Sequence, residues 1–225
     1  MQGWVWEGVM TTIWISPDFA AAVDATRAQL GASGTWFDTY QMVAIVDRAD
    51  ARSRQRAAAP WNHDLPDTAD TLSPAACSII DRIATDPGSV DATWAAEQVA
   101  EVGEGPYVEL VGTTAVAVAL RMFADSVGVE VGLIAPAAEP GEPSREIPDG
   151  LGDIGAYVRM LDPFPFANVA RALSQVPSAN TTFYNLVRPM YSAAGFEELV
   201  WNTPLSRPQV ELVAARVAAM NECFY

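Results

Sequence analysis

Apolar residues recur at helical spacing along most of this chain. Several of these stretches follow a residue that can cap a helix, such as Ser16, Asp38, Ser73 or Asp91. The side-chain oxygen at such a position accepts an N–H that the first turn of a helix leaves unpaired. The pattern therefore predicts helices over residues 19–30, 39–54, 75–84, 92–102 and 107–127.

Beyond residue 127 the pattern is less regular. Residues 136–150 are rich in Pro and Glu, which predicts a linker within the irregular stretch 128–150. Short helices are predicted over 153–161, 166–175 and 178–194, with Pro189 breaking the last of them. Because no stretch alternates as a strand does, the predicted fold is all-α.

The terminal run is the best-formed of the predicted helices. Ser206 is a suitable N-cap, and Pro208 fits the first turn, where no intrahelical N–H is needed. Ala, Val, Leu and Met follow without a helix breaker. We expect a buried helix that carries Cys223 at its end.

The net charge of the chain limits the kinds of partner that it can bind. The 225 residues carry a net charge of −15, and every basic residue is Arg. Such a surface disfavours nucleic acid and anionic membranes. No clear signal peptide or membrane span is predicted, which favours a cytoplasmic location.

Few residues are suited to metal or redox chemistry. The chain has one histidine, His63, and two cysteines, Cys77 and Cys223. These are too few for a zinc site or a disulfide framework, and no metal or cofactor is predicted. Cys77 falls among the apolar positions of helix 75–84 and is predicted to be a buried, inert thiol. The arginines at positions 48, 52, 54 and 56 indicate either an anion site or a solvated helix end near acidic neighbours.

The terminal run also resembles a known family. Residues 205–223 fit the pattern L-S-R-x-x-x-E-L-x-A-x-x-V-A-x-x-N-x-C, which is similar to the run that leads into the CxxC motif of AhpD-like alkylhydroperoxidases and carboxymuconolactone decarboxylases. Stretches within residues 72–128 are similar to the half that follows that motif. The resemblance implies an AhpD-like helical domain with its halves reversed, the second over 10–135 and the first over 151–225, joined by the 136–150 linker.

This order implies a circular permutant or a fragment spanning two tandem copies. With the end joined to the start, Met10 takes the place of the second Cys and Trp14 that of the motif His. A natural product that continues past Tyr225, with a second Cys or selenocysteine, would complete the motif.

The resemblance implies a thiol-dependent peroxidase or disulfide reductase. Cys223 would be a redox thiol and Glu211 a proton relay, with a small-molecule peroxide as substrate and a thiol reductant protein as partner. The family also implies a homo-oligomer, with residues 107–127 at an interface. The missing second Cys and His leave a noncatalytic binding or oligomerisation protein as the alternative. A lactone-acid decarboxylase using the arginine cluster is a third interpretation.

The peroxidase hypothesis predicts that Cys223→Ser abolishes peroxide consumption supported by a dithiol reductant, because the substitution removes the attacking sulfur. An unchanged rate would show that Cys223 has no such role. A protein that has lost the site shows no turnover in either form and has an ordinary Cys223 in a thiol-alkylation titration.

Overall fold

The computed structural model describes residues 5–8, 11–55, 66, 68, 70–135, 139–165, 168–191 and 205–220, and its described part is mostly helical. The chain opens with a hairpin of β1 (Val5–Gly8) and β2 (Thr11–Trp14). The helices that follow are α1 (Pro17–Leu30), α2 (Thr39–Gln55), α3 (Pro74–Thr85), α4 (Ala92–Val102) and α5 (Glu104–Val127). The remaining elements are β3 (Leu151–Gly152), β4 (Met160–Leu161), α6 (Asn168–Arg171), α7 (Pro177–Val187) and α8 (Arg207–Met220).

The predicted caps of the early helices are confirmed. Ser16 Oγ accepts the Phe19 N–H at 3.3 Å, and Asp91 Oδ1 accepts the Trp94 N–H at 2.8 Å. Ser73 caps α3 in the same way. Each side chain satisfies a donor that the helix itself cannot pair, so these boundaries are set locally.

Helix α5 lies at the centre of the fold. It packs against α2, α3, α4 and α7, which together enclose most of its length. Its fully buried apolar residues include Leu110 and Ala117. The structure therefore places much of α5 in the core, an environment that suits its apolar sequence. The interface predicted for residues 107–127 stays a prediction.

By length and composition, α5 is also the one helix in the described ranges that is apolar enough to cross a bilayer. Half of its most apolar stretch is buried inside the protein. The core helix of a soluble protein passes the same test, so the observation is weak evidence for a membrane span. The cytoplasmic location stays a prediction.

The segment predicted as a linker follows the surface of the α1–α2 turn in its described part. Gly141 O accepts the Thr39 N–H at 3.2 Å, and the Arg145 N–H donates to Thr35 O at 2.8 Å. Farther along the chain, Ala179 and Leu186 of α7 join the same hydrophobic cluster as α1 to α5. Residues on both sides of this segment thus share one core.

The described part is mostly helical, which is consistent with the predicted all-α class. Two details of the predicted secondary structure are wrong. We predicted no strands, yet β1 pairs with β2 and β3 pairs with β4, both antiparallel. Residues 153–161 form an irregular segment with bends, which ends in β4, instead of a helix. The glycines explain this, because Gly150 and Gly155 adopt φ of +82° and +80°, a conformation that interrupts a helix.

The later helices are shorter than predicted. In the 166–175 stretch only Asn168–Arg171 is helical among the described residues, and Leu173 has a φ of +65°. The break at Pro189 is confirmed, since α7 ends at Val187 and a 3₁₀ turn over Arg188–Tyr191 follows.

The terminal helix forms where predicted, but the prediction that it is buried is wrong. No described residue of α8 is buried, and Leu212 and Met220 are 71% and 68% exposed. A dense apolar run predicts a helix, whereas burial requires a neighbouring surface. Ser206 also caps differently, because its hydroxyl and its N–H both contact Gln209 Oε1, at 3.0 and 2.8 Å.

A pair of identical substitutions tests this packing. Leu110→Ala should lower the free energy of unfolding by about 2–5 kcal/mol, because it opens a cavity in the core. Leu212→Ala, at an exposed position of α8, should change it by less than about 0.5 kcal/mol. Urea unfolding of both variants measures the difference. Equal losses would contradict the placement of α8 outside the core.

Candidate functional site

The structure does not bring the predicted redox residues together in its described part. Cys223 lies outside the described residues, as do Met10 and His63, and Trp14 belongs to β2. Glu211 is exposed on α8, with its carboxylate 3.4 Å from Arg207 Nε one turn earlier. The peroxidase hypothesis therefore stays a prediction.

The described residues instead contain a buried carboxyl group at Glu109, in the first half of α5. Its residue is only 1% exposed. Oε1 accepts the Thr35 N–H at 2.7 Å, and Oε2 accepts the Trp36 N–H at 2.6 Å. Glu109 thus holds the α1–α2 turn against α5, and a Cβ at Gly34 would overlap its carboxyl group.

Burial raises the pKa of Glu109 above the ordinary value for a glutamate, because desolvation penalises the charged form. The N–H groups of Thr35, Trp36 and Phe37 and the positive charge of Arg145 act in the opposite direction, but burial outweighs them. Arg145 also lies over the Trp36 ring, 5.7 Å from its centroid. Burial therefore favours the neutral form of this carboxyl group more than it would for an exposed glutamate.

A cavity of about 300 Å³ lies beside Glu109, between the end of α1, α5 and α7. Gln29, at one side, has a buried Oε1 with no hydrogen-bond partner in the described structure. Glu109 is the single charged residue among the described lining residues. The hydroxyl-bearing lining residues are Ser33, Thr113, Ser178, Thr181 and Thr182.

The cavity lining offers hydrogen-bond acceptors at several points. A hydroxyl can accept or donate, whereas the Gln29 carbonyl and an ionised carboxylate only accept. The lining hydroxyls already interact in part, since Thr35 Oγ1 and Ser178 Oγ lie 2.9 Å apart and Thr182 Oγ1 donates to Ser178 O. The site is suited to a small molecule that donates hydrogen bonds.

Sequence reasoning missed Glu109. The available signal was a carboxylate set among apolar residues in the first half of the helix, next to Val108 and Leu110. A charged group that must be buried needs donors from elsewhere, and here they come from a turn 74 residues away. Helical periodicity alone does not identify that turn.

The arginine cluster predicted from sequence meets acidic neighbours. Arg48 and Arg52 both bind Asp81, and Arg54 pairs with Asp50. Burial acts to raise the pKa of Asp81, but the hydrogen bonds from the two arginines outweigh it and the pKa falls below its ordinary value.

Cys77, predicted to be buried, is only partly buried and lies 3.5 Å from Thr68 Oγ1. No group of three His, Cys, Asp or Glu residues in the described ranges is placed to hold a metal ion.

Comparison with known proteins identifies no relative: no family model, no curated protein and no solved structure matches this chain. The AhpD-like assignment therefore rests on the sequence patterns alone, and it stays a prediction.

The raised pKa of Glu109 predicts a pH-dependent stability. Between the pKa of the unfolded and of the folded state, the folded protein keeps a proton that the unfolded chain has lost. The free energy of unfolding should then fall as pH rises through that window, from about pH 4 upward, by at most about 1.4 kcal/mol per pH unit.

Urea unfolding of the wild type and of Glu109→Gln across this range isolates the effect, because the amide cannot ionise. Glu211→Gln, which removes an exposed carboxyl group, is the matched control and should keep the wild-type pH dependence. An unchanged pH dependence in Glu109→Gln would rule out the shift.

Proposed function

We propose that this chain is a noncatalytic helical binding protein that holds a small, hydrogen-bond-donating molecule in the cavity beside Glu109. The observation that carries the proposal is the cavity itself, which is lined by five hydroxyl side chains and by Gln29, whose buried Oε1 has no partner in the described structure. Hydroxyl groups that line a cavity can accept hydrogen bonds from a bound donor.

The size of the cavity limits the ligand. About 300 Å³ is at the lower end of the range for small-molecule sites, so it suits a molecule of a few to roughly a dozen heavy atoms. Glu109 adds a negative charge when ionised, which favours an amine or a polyol over a carboxylic acid. The acidic surface of the protein acts in the same direction.

The lining favours binding over catalysis. A hydroxyl nucleophile needs a neighbouring base, and the described lining contains neither histidine nor lysine. Glu109 has the required chemistry, but both of its oxygens already hold backbone N–H groups. The hydroxyls therefore serve as adaptable hydrogen-bonding groups for a ligand.

Ligand-observed NMR with defined probes tests the proposal. Glycerol, ethanolamine and putrescine should show saturation transfer that depends on this cavity, whereas acetate and succinate, which donate poorly and carry negative charge, should show none that depends on it. Thr181 lies on an exposed part of the lining, so Thr181→Trp should obstruct the cavity and weaken binding by about tenfold or more without disturbing the core.

Thr181→Ser keeps the hydroxyl and the open cavity, and it serves as the matched control. The proposal fails if none of the three donor probes binds the wild type. It also fails if Thr181→Trp binds them as well as Thr181→Ser does.

A further inference from the structure

We propose that a second site, the cleft between α2 and α3, binds a small oxyanion such as a carboxylate or a phosphate group. This arginine cleft is lined by Arg48, Arg52, Arg82, Asp81 and Cys77. The proposal does not depend on the cavity beside Glu109, because the two sites have no described lining residue in common.

Two arginines share a single carboxylate in the arginine cleft. Arg48 Nε and Nη2 donate to the two oxygens of Asp81 at 2.7 and 2.8 Å. Arg52 Nη2 donates to the same carboxylate at 2.5 Å. One negative charge therefore faces two positive ones, and the cluster keeps an excess positive charge.

Arg52 retains capacity for another acceptor. Its Nη1 donates to the neutral amide oxygen of Gln55 at 3.2 Å, a bond that an anion can replace. Its Nε also has no hydrogen-bond partner among the described residues, but that atom is fully buried. Hydrogen bonds from a guanidinium to an anion are shorter and stronger than those to a neutral amide. An oxyanion would therefore displace Gln55 as the partner of Arg52.

Arg82 brings a third positive charge to the same cleft. Its Nη1 donates to Ser89 Oγ at 2.6 Å, and its guanidinium lies over the Trp94 ring, 5.3 Å from the centroid. No described carboxylate lies within ion-pair distance of Arg82. Stacking and a hydroxyl contact hold the guanidinium in place without neutralising it, as in many anion sites.

The charges that line the cleft favour a small anion over a polyanion. Three arginines and two aspartates line the cleft, the second being exposed Asp86, so the lining is positive within a protein of net charge −15. A small anion feels mainly this local excess, whereas a polyanion such as nucleic acid meets the surrounding negative surface. The cleft encloses about 660 Å³ open to solvent, which admits a small carboxylate or phosphomonoester.

Cys77 provides a chemical reporter inside the cleft. Its sulfur lies 3.5 Å from Thr68 Oγ1, the same oxygen that accepts from Arg48 Nη1 at 3.1 Å. Iodoacetate carries a carboxylate, whereas iodoacetamide is its neutral analogue. With either reagent the thiolate attacks the CH₂ carbon, a C–S bond forms, iodide leaves with the C–I electron pair, and the thiol proton passes to the buffer.

The experiment compares the two reagents on the full chain carrying Cys223→Ser, so that Cys77 is the one remaining thiol. An oxyanion site should hold iodoacetate before reaction. We expect saturation kinetics with iodoacetate. We also expect the ratio of the iodoacetate rate to the iodoacetamide rate to be about tenfold higher for Cys77 than for glutathione. Inorganic phosphate and acetate, added separately, should slow iodoacetate and leave iodoacetamide unaffected, and the stronger competitor identifies the preferred anion.

Arg52→Gln should reduce the preference for iodoacetate about tenfold. Arg54→Gln is the matched control, because Arg54 lies on the same helix but pairs with Asp50 outside the cleft, and it should keep the preference. The proposal is overturned if the rate with iodoacetate rises linearly with its concentration and the ratio of the two reagent rates equals that of glutathione. It is equally overturned if neither phosphate nor acetate slows the reaction with iodoacetate. It is also overturned if Arg52→Gln, folded as judged by circular dichroism, reacts like Arg54→Gln.

Discussion

Two buried ionisable side chains fix the central helix in this fold. Glu109 and Arg121 are 1% and 2% exposed on α5, a helix whose other buried residues are mostly apolar or small. A buried charge is tolerated only where specific partners meet it. Glu109 accepts N–H groups from the α1–α2 turn, while Arg121 binds Asp50 of α2 and donates to Val131 O at 3.0 Å. Twelve residues separate them, about 18 Å along the helix axis, so they hold α5 at two distant points.

The contact made by Glu109 explains the conformation of the α1–α2 turn. Its N–H groups point toward α5 because Glu109 accepts them, and Gly34 leaves space for the carboxyl group. The segment around Arg145 then covers the turn, with the Arg145 N–H bonded to Thr35 O. The cavity beside Glu109 results from this arrangement, since the turn, α5 and α7 meet there around a polar group that cannot pack as an apolar side chain does.

The helices could be predicted where local chemistry decides them. Ser16, Ser73 and Asp91 each cap a helix whose start was predicted within a few residues, because the donor lies three residues away in the same chain. Residues 153–161 were mispredicted since glycines of positive φ overrode a helical composition. Whether α8 is buried or exposed could not be predicted, because its apolar residues specify a helix but not a neighbouring surface. In the structure Leu212 is exposed.

The same distinction separates the two sites. The arginine cleft is mostly a local feature: Arg48 and Arg52 are one helical turn apart, and Asp81 faces them from the next helix. Sequence reasoning could therefore predict both the cluster and its acidic neighbours. The cavity beside Glu109 joins residues far apart in the chain, as in the contact between Thr35 and Ser178, 143 positions apart. No spacing rule connects such residues, because only the packing of α1, α5 and α7 makes them neighbours. A site whose residues lie on consecutive turns of one helix can be predicted from the sequence. A site whose residues meet only in the packed interior can be found only once the fold is known.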